Sequence, residues 1–195
     1  NSNITATGGI ECIGITFDGG TTREFGGAGS ADSNMAQNVK QESVIIRCTP
    51  AVDTSVHYKK CVFKNAGTAS LAYQNNHGTG NKFVSDIIED CTFEDLLCIA
   101  VYHSLNIDVA EYKNNKFRNI GSTTIYTISS GYLSWCCLKL GDTTNSNNEA
   151  VKDCTIENCL FENVISKHQL TGENTEESYF VGFHGDNLIV HDNIF

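Results

Sequence analysis

Two steps in the chain end alike, in Leu140-Gly141-Asp142 and in His184-Gly185-Asp186. If they stack in nearby turns of chain, Asp142 and Asp186 share one face. Carboxylates on adjacent strands of a parallel stack stand about 5 Å apart, and two strands apart about 10 Å. Those separations bracket the ones used by glycosidases, in which one carboxyl group protonates the leaving oxygen and the other is nucleophile or base. His184 adjoins the pair as a proton carrier. Asp142, His184 and Asp186 are therefore the candidate catalytic residues. Tyr102, His103, Tyr126 and Trp135 are the candidate substrate-binding residues, because the aromatic rings among them offer faces on which a sugar stacks. The competing reading of a Gly-Asp step is a turn whose Asp accepts a local hydrogen bond. Metal chemistry has no such foothold. The nine cysteines contain no CxxC pair, and Cys154 and Cys159 are too far apart for a zinc knuckle, so no metal and no cofactor are expected.

Such residues need strands to carry them, and a repeat in the sequence makes strands. Five segments run apolar, two variable residues, Cys or Asn, one variable residue, Phe. They are 58–63 (YKKCVF), 88–93 (IEDCTF), 112–117 (YKNNKF), 156–161 (IENCLF) and 190–195 (VHDNIF), with a looser copy ending at Phe17. The alternation around Phe has period two, which is a strand and not a helix. Asn65, Asp95, Asn119 and Asn163 each follow a Phe by two residues and suit a bend in the left-handed region. No hairpin signals separate the copies, so each copy is expected to stack in parallel on the next. Phe then lies over Phe, and Cys61, Cys91 and Cys159 share a buried column of free thiols with Asn115 and Asn193. Phe17, Phe63, Phe93, Phe117, Phe161 and Phe195 are separated by 46, 30, 24, 44 and 34 residues. The shorter spacings suit one turn of a solenoid. The two long ones fit either one turn with a large loop or two turns with a degenerate repeat.

A second set of apolar segments, at 71–74, 99–103, 124–127, 135–140 and 179–184, is expected to form another wall and to present the candidate site. Polar stretches at 21–42, 74–82, 141–149 and 166–178 break the repeat. Insertions in a solenoid emerge on one or two sides and often wall its binding face.

Composition removes several function classes. With 23 acidic against 13 basic side chains the net charge is −10, which repels phosphate backbones and argues against nucleic acid as a partner. The longest apolar run, 96–102 (LLCIAVY), is far short of the ~20 residues of a membrane span, so no membrane insertion is expected. One proline, 17 glycines and abundant Asn serve long helices poorly. An odd number of cysteines fits buried thiols in a protein made in a reducing compartment.

The phrases GITFDG (14–19), IEDCTFED (88–95) and IENCLFEN (156–163) resemble turns of the right-handed parallel β-helix of the pectate-lyase-like superfamily. The resemblance implies an all-β, right-handed parallel β-helix of about six to eight turns, as one domain over residues 1–195. It does not carry catalytic residues across. Of the polygalacturonase motifs only Phe183-His184-Gly185-Asp186 is faintly similar, and Arg23, Arg47 and Arg118 are not placed like the catalytic arginine of a pectate lyase. The expected function is that of a phage tailspike or tail-appendage domain that binds, and through a paired-acid site would cleave, a host cell-surface polysaccharide. Its expected setting is the virion, assembled with other virion proteins in the host cytoplasm. The alternatives are a secreted, extracellular bacterial polysaccharide lyase or glycoside hydrolase, and a non-catalytic structural adhesin. No capping sequence is visible, so these 195 residues are expected to be a piece of a longer polypeptide. A homotrimer is expected from the outward column Thr16, Val62, Thr92, Lys116, Leu160 and Ile194, which grows apolar along the stack.

Overall fold

The computed structural model of the chain describes residues 4–20, 44–66, 69–74, 81–96, 99–121, 126–128, 136–141, 150–165, 168–170 and 179–195; for 74, 126–128, 136, 165, 168–170 and 179 it describes the backbone alone. Three short strands make each turn. The first turn is β1 (Ile4–Ala6), β2 (Ile10–Ile13) and β3 (Thr16–Asp18), and the second is β4 (Val44–Cys48), β5 (Thr54–Lys59) and β6 (Val62–Lys64). The third is β7 (Ala69–Gln74), β8 (Phe83–Glu89) and β9 (Thr92–Leu96), and the fourth is β10 (Ile99–Ser104), β11 (Ile107–Lys113) and β12 (Lys116–Gly121). After β13 (Tyr126–Ile128), the fifth turn is β14 (Cys136–Leu140), β15 (Val151–Glu157) and β16 (Leu160–Ile165). After β17 (His168–Leu170) come β18 (Tyr179–Phe183) and β19 (Gly185–His191), and Ile194 bridges back to Leu160.

Like strands of successive turns pair in parallel. Sheet A runs β1-β4-β7-β10-β14-β18, sheet B β2-β5-β8-β11-β15-β19 and sheet C β3-β6-β9-β12-β16, while β13 and β17 form a separate parallel pair. The chain is a right-handed parallel β-helix of six turns among the described residues. Phe17 pairs with Phe63 and Phe117 with Phe161, so each of the two long Phe spacings is a single turn enlarged by insertion.

The Phe column forms as expected. Rings stack from Phe17 through Phe63, Phe93, Phe117 and Phe161 to Phe195 at centroid separations of 5.0, 4.8, 5.1, 4.8 and 4.9 Å. Those of turns two to five are buried. Beside them, Cys61, Cys91, Asn115 and Cys159 are buried, and the three thiols are free.

This column also explains why Cys and Asn exchange in the repeat. The Cys91 amide donates to Asn115 Oδ1 (2.8 Å), and Asn115 Nδ2 donates to the Ile88 carbonyl one turn back (2.8 Å). Asn193 does the same for the Cys159 amide (2.7 Å) and the Ile156 carbonyl (2.8 Å). Thiols substitute as weaker donors and acceptors. The Cys61 amide donates to Cys91 Sγ (3.3 Å), while Cys61 Sγ donates to the Cys12 carbonyl (3.3 Å) and Cys159 Sγ to the Tyr112 carbonyl (3.5 Å). Both side chains knit one turn to the turn before it.

The corner between sheets B and C is constant. It begins with a left-handed residue: Gly14, Lys60, Asp90, Asn114, Asn158 and Asp192 all have φ between 51° and 67°. The bend after Phe is the second such column, with φ of 56°, 55°, 52° and 53° at Asn65, Asp95, Asn119 and Asn163. Asn and Asp dominate both because a short polar side chain tolerates this conformation and bonds locally. Among the described residues no helix is long and apolar enough to cross a membrane.

Candidate functional site

Strand alternation decides which candidate residues share a surface. Tyr102 points outward from β10, half-buried, with Lys139 Nζ of the next turn 5.2 Å above its ring. His103, the next residue, points inward and has no exposed surface. Neighbours on a strand face opposite ways, so Tyr102 and His103, both candidate substrate-binding residues, do not share a surface. Trp135 and Asp142 lie outside the described residues. Tyr126 is described by its backbone, which pairs with His168 across β13 and β17.

The register is described up to the first of the two Gly-Asp steps, whose Asp142 lies outside the described residues. Leu140, which leads into that step, pairs with Phe183 and not with His184. His184 is half-buried at the corner between sheets A and B; its amide donates to the Leu140 carbonyl (2.8 Å) and its carbonyl accepts from the Val151 amide (3.0 Å). Gly185 is glycine for a spatial reason, since a Cβ there would run into the Val151 carbonyl oxygen. Asp186 is exposed on sheet B, where the register sets it beside Lys152, itself bound to Asp108 Oδ1 (2.8 Å). The local chemistry of Asp186 is thus an ion ladder on sheet B. The Asp186–His184 neighbourhood and the Tyr102–Lys139 pair belong to different sheets.

His103 instead joins a buried polar network that the sequence reading did not anticipate. Asp86, in β8, has no exposed surface. It accepts from the Tyr73 hydroxyl (3.1 Å), the Tyr112 hydroxyl (2.6 Å) and His103 Nε2 (2.9 Å). Burial, and after it the Asp86 charge, pushes both tyrosines well above their usual range, which keeps them protonated donors. Nδ1 of His103 has no partner, which the neutral Nε2–H tautomer tolerates as an unused acceptor better than a cation would tolerate a buried free N–H. A buried carboxylate is costly unless several donors converge on it, and here three do. Four side chains from turns three and four are thereby held in one register.

The outer walls of the three sheets differ. Sheet C presents Asp18, Lys64, Glu94, Arg118 and Glu162 in one column, alternating in sign at every turn. Sheet B presents Lys59, Glu89, Lys113, Glu157 and His191 in the same manner. Contacts along them include Lys59–Glu89 (3.0 Å) and Arg118–Glu162 (3.0 Å). The hydrogen bonds from Lys59 and then His57 hold the Glu89 carboxyl below its usual range. Sheet A has no such ladder. Its strands, ITA, VIIRC, ASLAYQ, IAVYHS, CCLKL and YFVGF, contain no Asp or Glu. Its outward residues include Arg47, Ala72, Tyr102 and Lys139 in one column and Ile45, Ser70, Ala100 and Cys137 in the next. Ile45, Ser70, Ala100 and Cys137 are buried although they face away from the core, and the Ser70 hydroxyl has no partner.

The long connections adjoin sheet A strands in chain order. Segments 21–43, 122–135 and 171–178 lie between sheet C strands or β13/β17 and the next sheet A strand, and 75–80 and 142–149 follow sheet A strands. The B-to-C corner takes only two residues in every turn, as in Lys60-Cys61 and Asp90-Cys91. Absence of acidic residues from the sheet A strands was a signal already present in the sequence, once the strands were known. Among the described residues no cluster of three or more His, Cys, Asp or Glu is arranged to hold a metal. Comparison with known proteins finds no matching family model, no matching curated protein and no matching solved structure.

Proposed function

We propose that the chain is a glycan-binding β-helix of the phage tailspike or tail-appendage kind, and that it recognises a host cell-surface polysaccharide around the outward, half-buried Tyr102 ring of sheet A. The observation that carries this reading is that every long connection adjoins a sheet A strand in chain order, the sheet that also presents the half-buried Tyr102 ring. A half-buried ring gives a sugar a flat apolar face at low entropic cost. The other two outer walls spend their charges on their own ladders. Seven free thiols among the described residues accord with assembly in a reducing cytoplasm before incorporation into a virion. The pectate-lyase-like relationship and the homotrimer belong to the same proposal; Leu160 and Ile194 of the outward sheet C column adjoin, with Ile194 exposed.

The reading is tested by measuring binding of the protein to a panel of purified bacterial surface polysaccharides, together with release of reducing ends. Binding to at least one polymer is expected, and Tyr102→Ala should weaken it about tenfold while leaving the melting temperature unchanged. Binding that is indifferent to Tyr102→Ala would move the site off sheet A. No binding across the panel would remove the reading. Light scattering at the mass of a monomer would remove the trimer.

A further inference from the structure

The column of Cys and Asn inside the solenoid contains two kinds of neighbour. Cys61 and Cys91 occupy it in successive turns, whereas Cys159 has Asn115 on one side and Asn193 on the other. All three sulfurs are placed by the same contacts. Each lies against the carbonyl two residues before it, at Lys59 (3.4 Å), Glu89 (3.3 Å) and Glu157 (3.4 Å). Each also tilts toward the turn before its own, Cys61 Sγ to the Cys12 carbonyl (3.3 Å), Cys91 Sγ to the Cys61 amide (3.3 Å) and Cys159 Sγ to the Tyr112 carbonyl (3.5 Å). Side chains held alike in successive turns repeat at the spacing of their strands, so the sulfurs of Cys61 and Cys91 stand about 4.8 Å apart. Both thiols are free and buried.

From this spacing we infer that Cys61 and Cys91 form a two-coordinate site for a linear, thiophilic metal ion of the Hg(II) or Cu(I) class. Two metal–thiolate bonds of about 2.3 Å laid end to end span about 4.6 Å, so the ion fits between the sulfurs with neither side chain leaving its place. Soft thiolates select ions of this class. Zinc needs a larger donor set, and among the described residues no cluster of three or more His, Cys, Asp or Glu offers one. Binding breaks two S–H bonds and forms two metal–sulfur bonds; two protons pass to solvent and no oxidation state changes. The Cys61 amide, already aimed at the Cys91 sulfur, supports the thiolate that forms there. Hg(II) between two thiolates is neutral, whereas Cu(I) leaves one negative charge in a buried place, so Hg(II) is held more tightly. Burial pushes the Cys91 thiol up to about 12, so uptake strengthens as pH rises. The bound ion clips turn two to turn three, as the Asp86 network clips turn three to turn four.

The test uses the intact protein, reduced with a phosphine and equilibrated without oxygen against Hg(II) or Cu(I) at about pH 8. Loosely held metal is then removed with glutathione. All nine cysteines remain in the wild type, so retention is read as a difference between variants. Cys61→Asn and Cys91→Asn each remove one ligand and install the residue that the column itself uses at Asn115 and Asn193. Wild type and Cys159→Asn should each retain one Hg(II) more per chain than either of these two. Loading should raise the melting temperature of wild type and Cys159→Asn but not of Cys61→Asn or Cys91→Asn. X-ray absorption of the retained ion in the wild type should show two sulfur neighbours in line, and this measurement stands even where an Asn variant does not fold. Equal retention by all four proteins overturns the inference, as do three or four sulfur neighbours around the ion. Tighter retention of Cu(I) than of Hg(II) overturns the charge argument. Glycan binding is untouched by any of these outcomes.

Discussion

Sheets B and C and sheet A are assembled from the same kind of short parallel strand, but their outer walls follow different rules. On B and C each turn repeats the last with the sign of charge reversed, so stacking like positions in register becomes attractive. On sheet A the outward residues do not alternate: Arg47, Ala72, Tyr102 and Lys139 follow one another in a single column. A wall that satisfies its own charges holds turns in register and has little left for a partner. Sheet A follows no such alternation, and of its outward column Ala72 and Lys139 are buried. The division extends inward, where the Phe and Cys/Asn columns follow the repeat while the Asp86 network occurs once, in turns three and four.

The most severe way to break this comparison is through the repeated core. Phe93 stacks on Phe63 (4.8 Å) and on Phe117 (5.1 Å) and is completely buried. Truncating it to Ala removes both ring contacts and leaves a cavity between turns that cannot collapse independently. Phe93→Ala should cost about 3–5 kcal/mol in urea unfolding. A loss under ~1 kcal/mol would mean that the column is ornamental and that stability lies elsewhere.

The unrepeated core should be nearly as sensitive, for a different reason. Asp86→Ala leaves the hydroxyls of Tyr73 and Tyr112 and the His103 ring without their shared acceptor in a site with no exposed surface. A destabilisation of about 3 kcal/mol is expected by the same assay. Asp86→Ala with native stability would show that the network is dispensable, and turns three and four would then be ordinary members of the repeat.

What was legible in the sequence tracks the repeat closely. Phe at fixed offset from Cys or Asn, with an Asn or Asp bend after it, led to strand type, parallel stacking, the Phe column and the thiol column, because each depends on residues within one six- to eight-residue window. The candidate site depends on relations between windows. Whether Leu140 meets His184 or Phe183 is settled by register across an insertion, which no local pattern encodes. His103 and Tyr102 are adjacent in the sequence, but alternation puts them on opposite sides of the strand. Asp86 faces inward because both Val84 and Ser85 lie outside between Phe83 and Asp86, an irregularity of β8 that simple period-two reading misses.

The thiol column offers a finer test, because it asks whether chemistry or volume is being repeated. Cys91 Sγ accepts from the Cys61 amide (3.3 Å), as Asn115 Oδ1 one turn later accepts from the Cys91 amide, and it donates to the Glu89 carbonyl of its own turn (3.3 Å). Cys91→Asn should therefore keep or slightly raise stability, whereas Cys91→Ala should lose about 1 kcal/mol by orphaning the amide. Equal losses in the two variants would show that the site is read by size alone. Burial also pushes the thiols of Cys48, Cys91 and Cys154 up to about 12 and that of Cys159 up to about 11. At pH ~8 iodoacetamide should leave these four unmodified in the folded protein and modify them in denaturant, as peptide mapping would reveal.

The smallest effect concerns the ladders themselves. Glu89 is held below the usual glutamate range chiefly by the hydrogen bond from Lys59, then by that from His57. A group whose pKa is lower in the folded state binds fewer protons there than in the unfolded chain. Its contribution is therefore complete above the unfolded value and is lost as pH falls through the depressed folded value. The pair is partly exposed, so the contribution is under about 1 kcal/mol and shrinks in salt. Melting curves from about pH 7 to about pH 3 should show wild type above Glu89→Gln at the neutral end, with the gap closing through and below the ordinary carboxylate range. The gap should narrow likewise at high salt. A gap that persists at the acidic end would mean that Glu89 acts through packing, and the alternation of sign on sheet B would then have no energetic claim to setting its register.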